Sequence, residues 1–189
     1  MLVLCATLLV EMPVLLMITG RSEALCSLIG RRRFYLLIGM ILLNNAISGN
    51  VGLQASTLTT RAISHTHVTV GSYKRWFVSE VGAAAYLGLG MGCLLGSIAL
   101  VASEMDFAFA FTIMIAQFIS IVTAGITGTF APLLFSFVFK RDSGRWGGPL
   151  ETALQDIVGT FAMVVVSYYL LALFGAGTVD PSDSCGIVS

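Results

Sequence analysis

Apolar residues run along this chain in five long blocks separated by short polar connections. The first covers Met1 to Thr19, broken only by Glu11 and Pro13, and the others begin at Phe34, Val78, Phe107 and Pro149. A hydrocarbon layer about 30 Å thick is crossed by about 20 helical residues, a length each block reaches or approaches. The pattern predicts an all-α integral membrane protein with five transmembrane helices, over residues 1–19, 34–61, 78–102, 107–139 and 149–174. They form one membrane domain at 1–176, followed by a polar tail at 177–189. The first block lacks a basic start and carries a carboxylate in its middle, so it reads as a retained helix rather than a cleaved leader.

Two blocks carry polar residues where lipid would penalise them. The second runs from Phe34 into Asn44, Asn45, Asn50 and Gln54, with Gly49, Gly52 and the hydroxyls of Ser56, Thr57, Thr59 and Thr60. It reaches membrane length only by continuing through this stretch to Arg61, so the polar groups must face protein or water. In the fifth block Asp156 stands about two turns into the helix, at a cost of about 2.5–3.5 kcal/mol that calls for a cation or a hydrogen-bond partner. Thr152, Gly159, Thr160, Met163 and Ser167 share its face at helical spacing, with Ile157, Phe161 and Val164 opposite. Asp156 therefore points into an interior, toward an ion or toward a hydrogen bond from the Asn50 region.

The remaining blocks and connections carry weaker signals. Gly88, Gly92 and Gly96, with Ala84 one turn earlier, form a small-residue row that predicts close packing and a central place for the third helix. Glu80 opens that helix, either as a carboxylate favoured by the macrodipole or as a gate or ion-entry group. Gly125, Thr127, Gly128 and Pro132 predict a kink in the fourth helix. Arg21–Arg33 and Val68–Phe77 read as polar and interfacial connections, and Lys140–Pro149 as a loop closed by a proline suited to a helix start. His65 and His67 lack further ligands for a metal and read as a loop pair. Cys5, Cys26, Cys93 and Cys185 are far apart, and small buried thiols are expected rather than a disulfide framework or a metal site.

Composition fixes the solvent and removes other classes. Hydrophobic residues make up 57% of the chain and charged residues 11%, with mean hydropathy +0.92, far from the roughly 25% charged residues of a soluble domain. A net charge of zero, with basic residues in short clusters, argues against a nucleic-acid partner. No nucleophile with a positioned base is in view, so an enzyme is not expected. Arg61, Lys74, Arg75, Lys140, Arg141 and Arg145 outweigh Arg21 and Arg31–Arg33 across the five predicted spans, which sets the amino terminus in the cytoplasm and the carboxy terminus on the opposite side.

Gly49-Asn50-Val51-Gly52-Leu53-Gln54-Ala55-Ser56-Thr57, followed by Arg61, resembles the second membrane helix of MgtE-type magnesium transporters and their animal solute-carrier relatives. Glu80-Val81-Gly82 and Pro149-x-x-Thr152-x-x-x-Asp156-x-x-Gly159 fall in that family's order and spacing, so the resemblance covers the chain from about Met12 to Phe174. It implies a homodimer of five-helix membrane domains in lipid, whose second and fifth helices line one ion path on the two-fold axis.

The transported ion would be Mg2+, with no organic cofactor. Two copies of Asp156 would match one divalent charge through the ion's waters. Thr152 and the Asn50 region would add oxygens, as would carbonyls where Gly49 and Gly52 loosen the helix. Leu53 stands where the family commonly has a small polar residue. Bacterial members carry a cytoplasmic magnesium-sensing region ahead of the membrane domain that this sequence does not include, leaving regulation on another chain, absent, or on a longer form of this one. The alternative from another class is a non-transporting membrane assembly subunit in which Asp156 is structural.

Overall fold

The computed structural model describes residues 2–20, 22–140, 143–174 and 185. Its elements are all helical: α1 Leu2–Gly20, α2 Ser22–Ile29, α3 Arg31–Ser64, α4 Tyr73–Ala102, α5 Phe107–Leu133 and α6 Ser143–Leu173, with a wider π turn at Leu134–Val138 after α5. Among the described residues, four helical segments are long and apolar enough to cross a membrane: Arg31–Ser64, Tyr73–Ala102, Phe107–Val138 and Glu151–Leu173. They match the second to fifth predicted blocks; α1, of 19 residues, packs along α6.

Several boundaries differ from the sequence expectation. Arg21–Arg33 is largely helix rather than an irregular connection. Within α2, Leu25 and Ile29 lie one turn apart and are both buried in the main apolar core. Gly30 then turns the chain at φ 85°, a left-handed conformation that glycine adopts without strain, and Arg31–Arg33 form the first turn of α3. α4 starts at Tyr73, because Trp76 and Phe77 pack on Ala62, Val68 and Leu133 instead of lying along the interface. α6 runs from Ser143, so most of the expected 140–149 loop is helix, and Pro149 falls inside it. α5 passes unbroken through Gly125 and Gly128. The irregularity comes beyond Pro132, where Phe139 N–H bonds the Leu134 carbonyl five residues back at 3.2 Å.

The central helix is α5, which packs against α3, α4 and α6, rather than the Gly-rich α4. Half of α5's apolar span is buried, against a third of that of α4. The α4 glycine row is a one-sided dock: a Cβ on Gly92 would lie 3.0 Å from the Met114 carbonyl oxygen of α5, while Tyr86, on another face, is 83% exposed. Phe109, Ile113 and Ala116 of α5 meet Leu37 and Ile41 of α3, Leu95 and Ala99 of α4, and Met163 and Leu171 of α6 in one core.

One end of the bundle is tied by charge. Arg32 pairs with Glu104 at 2.7 Å and Arg33 with Asp106 at 2.6 Å, joining the start of α3 to the α4–α5 turn. The Arg32 hydrogen bond and its positive charge hold the Glu104 carboxyl below its ordinary range. Asp106 also caps α5 by accepting from Phe109 N–H at 3.1 Å. The cysteine expectation fails at one pair: Cys26 and Cys185 are disulfide-bonded, with Cα atoms 5.9 Å apart. Their separation of 159 residues gave no sequence signal, since spacing alone does not show which distant segments meet. Cys93 is free and exposed on α4. The rest of the tail from Gly175 lies outside the described residues.

Candidate ion path between α3 and α6

α3 carries two polar stripes on different faces. Asn44, Ser48, Ser56 and Thr59 recur at three-, four- and eight-residue intervals and are buried against the neighbouring helices. Asn50, Gln54, Thr57 and Arg61 follow the same kind of spacing but are exposed, interleaved with Leu53 and Leu58. The first stripe explains how polar residues survive inside the bundle. Among the described residues, no element of the protomer covers the second.

The buried face of α3 meets α6 at the level of Asp156. Asn45 Nδ2 donates to Thr160 Oγ1 at 2.8 Å and, in a longer contact of 3.4 Å, to the Asp156 backbone carbonyl. Asn44 Nδ2 donates to Asn45 Oδ1 at 3.2 Å. This approach needs Gly159, where an added Cβ would lie 2.5 Å from Asn45 Oδ1 and 2.9 Å from Asn44 Nδ2. One turn nearer the start of α6, a Cβ on Gly49 would sit 3.9 Å from Thr152 Cγ2. Thr152 and Asp156, four residues apart on one face, are both half-buried.

Of the sequence-predicted residues, Asp156, Thr152 and Gly49 are brought together, with Gly52 beside them on the neighbouring face of α6. Asn50 is not: it is exposed on a different face of α3, and Asn45 makes the contact with the Asp156 segment instead. α3 is continuous through Gly49 and Gly52, so these glycines do not loosen it to free carbonyls; they admit α6. Glu80 is half-buried on α4. Its backbone carbonyl would lie 4.0 Å from a Cβ on Gly125, against α5 rather than α6.

Sequence reading missed a carboxylate. Glu151 is 2% exposed; its Oε1 accepts from Thr127 Oγ1 of α5 at 2.7 Å and from Gln155 Nε2 at 3.2 Å, and Gln155 Nε2 also contacts Thr127 Oγ1. A Cβ on Gly52 would come within 3.0 Å of Glu151 Oε1, so α3, α5 and α6 converge here. Glu151 and Gln155 immediately precede Thr152 and Asp156. One face of α6 is thus anchored to α5 while the adjacent face presents Asp156. The four-residue spacing of Glu151 and Gln155 was the available signal. Glu11 of α1 is half-buried and within electrostatic reach of Asp156, a long-range neighbour that no local pattern announces.

Among the described residues, no group of three or more His, Cys, Asp or Glu side chains could hold a metal ion within one protomer. His65 and His67 lie in the exposed turn after α3, ring centroids 6.2 Å apart. The arrangement offers one half-buried carboxylate with hydroxyl and amide oxygens nearby, suited to a passing hydrated cation rather than a tightly caged one.

The model of the MgtE family, described as a divalent cation transporter, matches residues 41–166, which take in α3 from Ile41, all of α4 and α5, and α6 as far as Val166. No curated protein matches the chain.

Proposed function

Because this chain belongs to the MgtE family of divalent cation transporters, we propose that it carries magnesium along a path lined by α3 and α6 of two copies related by a two-fold axis. The observation that carries this reading is the uncovered polar stripe Asn50, Gln54, Thr57 and Arg61 on a helix otherwise suited to lipid. Amide and hydroxyl groups against hydrocarbon are costly, and a second copy of the same face would enclose them around water. Two-fold symmetry suits the place of Asp156, since two copies of its carboxylate match one divalent charge.

The path acts on a hydrated ion. Mg2+ gives up its waters reluctantly and prefers octahedral oxygen, so Asp156 would hold it through water, with Thr152 and the Asn50 amide as further acceptors. Asn45 and the Glu151–Gln155 anchor keep α6 from rotating Asp156 out of the path. Glu11, near Asp156, adds negative potential, and Glu80 is a candidate for ion entry.

In this reading α1 is a fifth crossing, the amino terminus is cytoplasmic and the carboxy terminus is outside. The Cys26–Cys185 disulfide supports that orientation, because such bonds persist in oxidising compartments and five crossings put both cysteines on the same outer side. Arg32 and Arg33 on that side are paired with acids, which leaves Arg61, Lys74, Arg75 and Lys140 as the basic cluster facing the cytoplasm.

The shared axis is testable by cross-linking in native membranes. With Cys5→Ser and Cys93→Ser as background, Gln54→Cys should form a covalent dimer on oxidation, and Tyr86→Cys on the outer face of α4 should not. A Gln54→Cys protein that transports normally but cross-links no better than Tyr86→Cys would overturn the two-copy path.

A further inference from the structure

α4 and α5 pack closely only along part of their length. Small residues set the contact at Gly92, Gly96 and Ala84, the last directly against Gly125. Toward the start of α4 the facing residues become large, with Tyr73 and Phe77 on one side and Phe130 and Phe137 on the other. Between them opens a groove of about 740 Å³. Its positions recur every three or four residues on both helices, so two continuous helical faces form the walls.

The groove is fixed open. Trp76 Nε1 donates to Thr59 Oγ1 at 3.1 Å, which ties the first turns of α4 to α3. Phe77 and Phe137 rest on the packed cluster of Ala62, Val68 and Leu133. The π turn at Leu134–Val138 shapes the opposite wall. The side chains lining the walls are overwhelmingly apolar, and Lys74 is the one charged residue among them.

Lys74 is exposed, and neither ion pair among the described residues involves it. Arg61 ends the preceding helix, Arg75 is adjacent in sequence and Lys140 follows the π turn, all three exposed at the same end of the bundle. No acidic side chain is among the lining residues, and Glu80, further along α4, is half-buried. An apolar wedge at membrane depth with a basic rim calls for an amphiphile whose head is negative.

We propose that this wedge is a binding site for an anionic phospholipid, one acyl chain lying between the aromatic walls and the phosphate-bearing head held at Lys74. A zwitterionic lipid satisfies the walls equally but gains less at the rim, so the selectivity resides in the head. Its lining residues come from α4, α5, the π turn and Val70 rather than from α3 or α6, and it does not depend on the transport reading.

Purified full-length protein in detergent is offered phosphatidylglycerol or phosphatidylcholine with identical acyl chains, and retained lipid is counted by native mass spectrometry. The wild type should retain phosphatidylglycerol roughly fivefold better, the size of attraction expected for one basic residue at a membrane surface. Lys74→Glu should abolish the preference while keeping residual binding of both. Val78→Trp, which fills the mouth at a position 69% exposed and so tolerant of change, should reduce retention of both. Equal retention of the two lipids by wild type, or an undiminished preference in Lys74→Glu, overturns the proposal. So does a loss of oligomer with unchanged lipid retention in Val78→Trp, which would mean that a second copy fills the groove.

Discussion

Asn45 and Thr160 are joined across α3 and α6 by a hydrogen bond of 2.8 Å, and the same amide reaches the Asp156 backbone carbonyl at 3.4 Å. Its position makes Asn45 important: the neutral amide fixes the height and rotation of α6 at the acidic residue. Asn45→Ala removes both contacts and leaves Thr160, fully buried, without this donor. The expected loss is about 1–3 kcal/mol of stability, read as a lower melting temperature in detergent. Asn45→Asp should fail similarly, since a carboxylate cannot donate to the Asp156 carbonyl and adds a negative charge inside the helix contact.

Gly159 tests the same contact from the other helix. Gly159→Ala drives a methyl to within 2.5 Å of Asn45 Oδ1, an overpacking worth about 1–3 kcal/mol. Gly90→Ala on α4 meets nothing within 4 Å and should be neutral or slightly stabilising. Thermal melts of the two variants side by side separate close approach from a general glycine effect.

Glu151 should distinguish a hydrogen-bonding role from a charge role. Glu151→Ala removes two buried hydrogen bonds, from the Thr127 hydroxyl and the Gln155 amide, at an expected cost of about 1–3 kcal/mol. Glu151→Gln keeps an acceptor in place and should restore most of that stability. If both variants melt alike, the network through Thr127 does not anchor α6.

The Arg32–Glu104 pair predicts a pH dependence with a defined sign. The folded-state pKa of Glu104 is depressed, so its contribution is present above the unfolded value near 4.5 and disappears as pH falls through the folded value. Melting temperatures of the wild type and Glu104→Gln should differ slightly at neutral pH and converge as the pH falls through the depressed folded value. The difference should also shrink in high salt, because both side chains are well exposed. A gap that widens in acid would reverse the assignment.

The sequence made the membrane helices legible because lipid-facing runs are long and nearly free of charge, as from Phe107 to Phe139. It was less informative about ends. Trp76 and Phe77 carry the composition of an interface yet pack on Leu133, a residue more than fifty positions later. The polar stretch of α3 was recognisable as misplaced in lipid, but its split into a buried stripe and an exposed stripe depends on where α5 and α6 dock. Asp156 and Thr152 stood out by their cost, whereas Glu151 was concealed near a Gly-Gly-Pro sequence that reads as loop. The Cys26–Cys185 bond and the approach of Glu11 to Asp156 are tertiary facts, invisible to periodicity.

The central claim is that Asp156 meets the transported ion. Magnesium uptake by liposomes reconstituted with equal amounts of wild-type and Asp156→Asn protein tests it most directly, since the substitution keeps shape and hydrogen bonding while removing the charge. A loss of at least about tenfold is expected, the factor corresponding to about 1.4 kcal/mol, with the melting temperature unchanged. Uptake at the wild-type rate by a folded Asp156→Asn protein would contradict it and leave Asp156 a structural residue.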